Sequence, residues 1–146
     1  MRALIQRVKE AKVTVNEKIC GHIGHGMLIF LGVHKNDSPE TVDWLVKKLV
    51  GLRIFPDEEG KMNRDIRHSN GAILVVSQFT LYGSCLSGKR PEFTEAALPE
   101  PAFLLYEKCV QELTKEMGKP IETGVFGALM EVNLINDGPI TLLLER

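Results

Sequence analysis

The sequence predicts a single α+β domain over residues 1–146, in which a mixed, curved or barrel-like β-sheet packs against two main helices. Apolar stretches of strand length outnumber those of helix length by about seven to two. They also lack the regular strand and helix alternation that builds a doubly wound parallel sheet. Clusters of Gly, Pro, Asn and Asp separate them, with no internal repeat and no stretch that reads as an interdomain linker.

Residues 2–15 form the first strand, with Ala3, Ile5, Val13 and Val15 on one parity and Leu4 and Val8 on the other. The slip in alternation predicts an irregularity near Glu10-Ala11. Asn16-Glu17-Lys18 supplies turn chemistry, and Ile19 to His25 returns as a second strand. Met27 to Val33 is almost wholly apolar, as a central strand covered on both faces would be. A helix starts at Ser38-Pro39-Glu40, with Ser38 as N-cap and Pro39 at the first helical position, where no N–H is needed. Val42, Leu45, Val46, Leu49 and Val50 recur at helical spacing and give it one apolar face.

Residues 56–71 are polar and rich in turn formers, so they predict a long connection or a pair of turns. Ala72 to Val76 is another apolar strand. The segment from Gly83 to Pro101 is long enough to be a functional loop. A second helix is expected at about 100–117, its inner face formed by Phe103, Tyr106, Val110, Leu113 and Met117, with Gly118 as its cap. Ile121 to Gly124, Ala128 to Ile135 and Pro139 to Leu144 read as further strands, the last two joined by a hairpin turn at Asn136-Asp137-Gly138-Pro139.

Composition narrows the function classes. Hydrophobic residues make up 44% and charged residues 25% of the chain, ordinary values for a globular protein. A formal net charge of −1 argues against gripping long duplex nucleic acid, which needs many neutralised phosphates, and leaves room for a partner touched at one end. Met1 to Arg7 lacks the apolar core of a secretory signal, and no run approaches the roughly 18 apolar residues of a membrane span, so a cytoplasmic protein is expected. Cys20, Cys85 and Cys109 are far apart and outside any C-x-x-C pattern, which suits buried or incidental thiols.

Few segments carry chemistry on their own. His22 and His25 point to opposite faces of a strand, and no carboxylate stands in the same segment, so neither a metal nor another cofactor is expected. His34 and His68 have no partner for a triad. Gly21, Gly24 and Gly26 match no phosphate-binding fingerprint. Lys89-Arg90 is the tight basic pair of the long loop, and on pattern alone it is solvated surface. Ser77-Gln78-Phe79-Thr80-Leu81 places polar and small groups where an apolar strand ends, yet it has no G-x-S-x-G elbow and by itself reads as a capped strand end.

In combination, Ser77-Gln78-Phe79-Thr80-Leu81 and, about 55 residues later, Asn136-Asp137-Gly138-Pro139-Ile140-Thr141 resemble the two signature motifs of the D-aminoacyl-tRNA deacylase family. The likeness extends through Ala3-Leu4-Ile5-Gln6-Arg7-Val8, Arg53-Ile54-Phe55, Gly60-Lys61-Met62-Asn63 and Arg90-Pro91 before Phe93. It implies a homodimer that hydrolyses the ester joining a D-amino acid, or a mischarged glycine, to the 3′ acceptor end of tRNA. It also implies a cis peptide bond at Gly138-Pro139, which reaches the partner subunit's site and rejects L-aminoacyl groups with its backbone.

The resemblance places the catalytic machinery at Ser77, Gln78, Phe79 and Thr80, with backbone N–H groups at Phe79 and Thr80 facing the oxyanion. Thr80 either attacks the ester or positions substrate while the ribose 2′-OH assists water; the second is favoured, since no adjacent base activates it. Arg7 resembles a position that helps hold the Gly-Pro carbonyls, with a surface salt bridge as the alternative. Three other readings compete: a related branch with a trans Gly-Pro that clears L-aminoacyl errors, a non-catalytic module that binds tRNA ends, and, last, an unrelated metal-dependent hydrolase, for which no ligand set is visible.

Overall fold

The computed structural model describes residues 1–146. Eight strands and two α-helices follow one another as β1 (Arg2–Val15), β2 (Lys18–Ile23), β3 (Gly26–Gly32), α1 (Pro39–Gly51), β4 (Phe55–Pro56), β5 (Met62–Arg64), β6 (Ala72–Ser77), α2 (Pro99–Met117), β7 (Glu122–Thr123) and β8 (Glu131–Glu145). A 3₁₀ turn, Phe79–Tyr82, follows β6 directly.

The long β1 organises the sheet. Its first half pairs antiparallel with β3 and its second half with β2, while β8 runs antiparallel along its other edge for almost its full length. Beyond β3, β6 and β7 add in parallel. The sheet curls until its ends approach each other: Gly21 on β2 lies against the Thr123 carbonyl on β7, and the His22 N–H donates to Glu122 at 3.3 Å. This is the predicted mixed, barrel-like sheet of one domain.

Alternation divides the core in two. Ala3, Ile5, Met27, Ile29, Leu31, Ile73 and Val75 face the helices and join a cluster of 21 buried residues. Val8, Ala11, Val13, Ile23, Leu28, Leu74 and Val76 point the other way and fill the barrel. β3 is therefore covered on both faces, as its unbroken apolar run predicts.

Helix α1 buries the expected face of Val42, Leu45, Val46, Leu49 and Val50. Ser38 is the N-cap residue, but its hydroxyl donates to Glu40 at 2.6 Å, and the Thr41 hydroxyl accepts the Ser38 N–H at 3.3 Å. Helix α2 ends where expected, at Gly118 in the left-handed region with φ +63. Its buried face is Ala102, Tyr106, Cys109 and Leu113, which keeps Tyr106 and Leu113 of the predicted stripe but is rotated about 50° around the helix axis, leaving Phe103 39% exposed.

Two further expectations are corrected and one is met. Residues 56–71 contain a small hairpin, β4 with β5, whose turn is built on the Asp57 carboxylate accepting the Glu59 and Lys61 N–H groups at 2.9 Å. The irregularity expected near Glu10-Ala11 is present between Val8 and Glu10 against β8, and β1 has others between Gln6 and Val8 against β8 and between Val13 and Thr14 against β2. Asn136-Asp137-Gly138-Pro139 is not a hairpin, because β8 continues through it as one strand. β1 pairs with both halves of β8, so the chain has no need to reverse there.

Candidate active site

The first motif sits where β6 leaves the sheet. Ser77 pairs in register with Leu31, and the Gln78 N–H donates to the Leu31 carbonyl at 2.8 Å, so strand geometry persists one residue past the motif's start. The chain then tightens into the 3₁₀ turn. Phe79 and Thr80 open that turn, so their N–H groups have no acceptor within it. Both residues are exposed, Phe79 by 58%.

The turn folds over the end of β3 because Gly32 is there. A Cβ at Gly32 would lie 3.0 Å from the Gln78 carbonyl oxygen and 3.2 Å from the Leu81 Cβ. Arg2 holds the far end: its Nη1 donates to the Leu81 carbonyl at 2.7 Å, its Nε to Glu145 at 2.8 Å, and its guanidinium lies 4.5 Å from the centre of the Tyr82 ring. Burial pushes the Tyr82 phenol up, so it stays a neutral, packed ring. Phe93 closes on the exposed side, edge-on to Phe79 with ring centroids 5.0 Å apart. The Gln78 amide donates to the Thr80 hydroxyl. No carboxylate or imidazole is hydrogen-bonded to that hydroxyl, which leaves it without a base.

The second motif is a bulge in β8. Gln6 pairs with Thr141 and Val8 with Asn136, so Asp137, Gly138, Pro139 and Ile140 oppose Arg7 alone. The Asn136 side chain bridges the gap by donating to the Arg7 and Ile140 carbonyls, each at 2.9 Å. Gly138 has φ +121, and the Gly138-Pro139 peptide bond is cis. Gly138 and Pro139 are both exposed.

Arg7 supports this bulge from beneath. It is a buried residue, not a surface one, with 9% relative exposure. Its Nη1 donates to the Ile54 carbonyl at 2.6 Å, and its Nε lies 2.9 Å from Asp137 Oδ2. That Nε–H is not aligned on the carboxylate, so the contact is charge pairing without a hydrogen bond. The guanidinium also lies under Gly138, where a Cβ would stand 3.1 Å from Nη2.

The two motifs are brought onto one sheet but not together. Arg2, beside Leu81, and Arg7, beside Gly138, stand at opposite ends of the first half of β1. Ser77 is level with Ala3 through Leu31, whereas the bulge is level with Arg7. Counting strand steps and residues, the motifs lie roughly 20 Å apart along the sheet. Two surface depressions, about 260 Å³ at Glu10, Lys12 and His22 and about 390 Å³ at His34, Tyr82 and Arg146, contain neither Thr80 nor Pro139. No group of three or more His, Cys, Asp or Glu side chains is placed to hold a metal ion.

Sequence reasoning missed Arg2, Asp137, Phe93 and the bridging role of Asn136. The partners of Arg2 lie 79 and 143 residues away, so no local pattern could announce them. Asp137 and Asn136 were visible as turn formers and as members of the second motif, with no role of their own assigned.

Comparison with known proteins places the chain in a family. The sequence pattern of the family described as D-Tyr-tRNA(Tyr) deacylase matches residues 4–145. A D-aminoacyl-tRNA deacylase of Thermotoga petrophila is 57% identical over 145 residues, covering 99% of this chain and 97% of its own. One from Exiguobacterium sp. is 53% identical over 146 residues, covering 100% and 99%. Among solved structures, a c-Myc DNA unwinding element binding protein superposes with a TM-score of 0.94 at 38% identity, covering 100% of this chain and 99% of its own. A probable eukaryotic D-amino acid tRNA deacylase, at 17% identity, shares the fold with a TM-score of 0.85 and covers 98% and 97%. With the family pattern spanning nearly every residue and relatives more than half identical from end to end, this chain belongs to the D-Tyr-tRNA(Tyr) deacylase family.

Proposed function

We propose that this chain hydrolyses the ester joining a D-amino acid to the terminal ribose of tRNA, releasing free tRNA and D-amino acid, and so proofreads chirality in translation. The observation that carries this reading is 57% identity over 99% of the chain to a D-aminoacyl-tRNA deacylase, in a chain that has both motifs built and exposed. Ester hydrolysis passes through a tetrahedral oxyanion, and preorganised N–H groups at Phe79 and Thr80 stabilise that charge without a metal. The aminoacyl ester is already activated, so no strong general base is required. Thr80 and Gln78 position the substrate, with Ser77 fixing where the turn begins, and the ribose 2′-OH assists the attacking water. The lone amide partner of the Thr80 hydroxyl supports this role over that of nucleophile.

Selection is steric. The carbonyls of Gly138 and Pro139 occupy the side on which an L side chain would lie, whereas a hydrogen or a D side chain avoids them. Glycyl-tRNA is admitted for the same reason. Arg7, packed beneath Gly138 and paired with Asp137, holds those carbonyls in place.

The reading requires a second subunit. A spacing of roughly 20 Å along the sheet keeps the two motifs of one chain from meeting over one amino acid, so Gly138-Pro139 of one subunit completes the site around Thr80 of its partner. The unpaired edge of β8, with Ile135 50%, Leu142 39% and Leu143 54% exposed, gives the homodimer an apolar surface to cover. The site is cytoplasmic, where charged tRNA is made and used.

The test is release of D-tyrosine from D-tyrosyl-tRNA by the purified protein. Acceleration over spontaneous hydrolysis, unchanged by a chelator, is expected. Binding of tRNA without hydrolysis would instead favour a module that holds tRNA ends.

A further inference from the structure

The Gly83 to Pro101 segment is two parts with different freedom. Its second half is fastened to the end of β3: the Lys35 N–H donates to the Glu95 carbonyl at 3.0 Å, the Ala97 N–H to the Val33 carbonyl at 2.9 Å, and the Glu95 carboxylate accepts from Lys35 at 2.8 Å while lying 3.0 Å from the His34 ring. Its first half is a lobe closed at the base by reciprocal Ser84 and Glu92 backbone hydrogen bonds of 2.8 and 3.0 Å. Between those two residues every position is exposed, Leu86 completely. Gly88, at φ +78, turns the chain and sets Lys89 and Arg90 at the tip. Neither cation has a carboxylate within ion-pair distance, and the stretch from Gly83 to Pro91 contains no acidic residue.

The lobe's base is also the wall of the candidate site. Phe93, one residue past Glu92, packs edge-on against Phe79, and a Cβ at Gly83 would come within 2.9 Å of its ring. Lys89 and Arg90 thus stand four and three residues before Phe93, on a lobe rooted beside the turn that opens with Phe79 and Thr80. A polynucleotide whose terminal ribose lay on that turn would pass its nearest phosphates along this lobe. Two free cations and a fully exposed apolar side chain on one lobe suit a single-stranded end, which offers phosphate to the first and base faces to the second.

We infer that the Ser84 to Glu92 lobe is the acceptor-end clamp, with Lys89 and Arg90 binding backbone phosphates of the unpaired 3′ end and Leu86 packing on a base. This rests on the reading of the substrate as an aminoacyl-tRNA. It adds affinity for the polynucleotide and no chemistry.

The experiment is salt-dependent binding of uncharged tRNA labelled at its 5′ end, with hydrolysis of D-tyrosyl-tRNA and of D-tyrosyl-adenosine measured in parallel. The proteins are the wild type, K89A/R90A and K89E/R90E. Loss of two single-strand phosphate contacts should lower the salt slope by about 1.4, so that moving from about 50 to about 200 mM salt weakens the wild type roughly sevenfold more than K89A/R90A. K89E/R90E should bind more weakly still. KM for D-tyrosyl-tRNA should rise, with kcat and the rate on D-tyrosyl-adenosine unchanged. Equal salt slopes for wild type and K89A/R90A overturn the clamp, and so does an equal loss on both substrates, which would place the lobe's effect on the catalytic turn. Wild-type protein that cleaves neither ester overturns the deacylase reading, while its tRNA salt slopes still decide the clamp.

Discussion

Mixing two altered chains should reveal which subunit supplies the Gly138-Pro139 carbonyls to each site. Thr80→Pro removes the N–H proposed to face the oxyanion, at a position in the turn where that group has no intra-turn acceptor, so no hydrogen bond of the turn is lost and the site is silenced. Gly138→Ala leaves the turn intact and alters the carbonyls. Its φ of +121 is strained for an L residue, and the new Cβ would lie 2.9 Å from Ile140 Cγ1 and 3.1 Å from both Arg7 Nη2 and the Ile140 nitrogen. Relieving that strain, worth about 1–3 kcal/mol, turns the carbonyls and lets the L-tyrosyl ester in. Gly138→Ala protein alone is therefore expected to cleave both esters.

After random subunit exchange with an equal amount of Thr80→Pro chain, half of the Gly138→Ala turns are completed by an unaltered Gly138. L-ester cleavage per Gly138→Ala chain should fall by about half, and to about a tenth when the Thr80→Pro chain is in nearly ninefold excess. D-ester cleavage per chain should stay constant. The assay is hydrolysis of D- and L-tyrosyl-tRNA across the mixing series, with exchange verified by mass spectrometry of differently tagged chains. An L-ester rate that ignores the mixing ratio while exchange is complete would show each chain completing its own site and refute the crossed arrangement.

Arg7→Met keeps the volume of Arg7 but leaves the Ile54 carbonyl without its charged donor and Asp137 without its cation. At fixed protein concentration it should destabilise by about 2–3 kcal/mol in urea unfolding and relax rejection of the L-ester; a loss under about 0.5 kcal/mol would mean that the buried pair is inert. Thr80→Ala should retain most D-ester hydrolysis, and an acyl-enzyme trapped in the wild type would reverse that expectation. Burial raises the Asp65 carboxyl, but hydrogen bonds from the His68 N–H, Arg67 and the His68 ring outweigh it and hold the group well below the usual carboxylate range. Because its folded pKa is depressed, Asp65 stabilises fully above its unfolded value of about 3.9, and that contribution is lost as pH falls toward the folded value. The gap in stability between wild type and Asp65→Asn should thus be flat near neutrality and close below about pH 4; a gap that widens in acid would contradict it. Burial pushes the Cys109 thiol up to about 12, so a thiol reagent should label exposed Cys20 and Cys85 in the native protein and Cys109 only on unfolding, as mass spectrometry would read.

What was legible in the sequence was whatever local periodicity controls. The apolar run of β3 and the stripe of α1 name their own burial, and Gly118 marks the end of α2 by its left-handed backbone. The phase of α2 was less legible, since an aromatic such as Phe103 can line a helix face without that face being the buried one. Asn136 to Pro139 misled for a physical reason. Turn-forming residues signal a departure from strand geometry, and a four-residue bulge and a hairpin share that signal until pairing with β1 on both sides decides between them. The motif residues were found by resemblance, and the supports that hold them were not, because Arg2, Asp137 and Phe93 act through contacts that only the folded sheet creates.

The most direct measurement places D-tyrosyl-tRNA and L-tyrosyl-tRNA, each labelled on the amino acid, with the same protein in one reaction. A chiral deacylase removes the D-ester rapidly while the L-ester decays at its spontaneous rate. Equal decay of both esters, whether fast or slow, would contradict it.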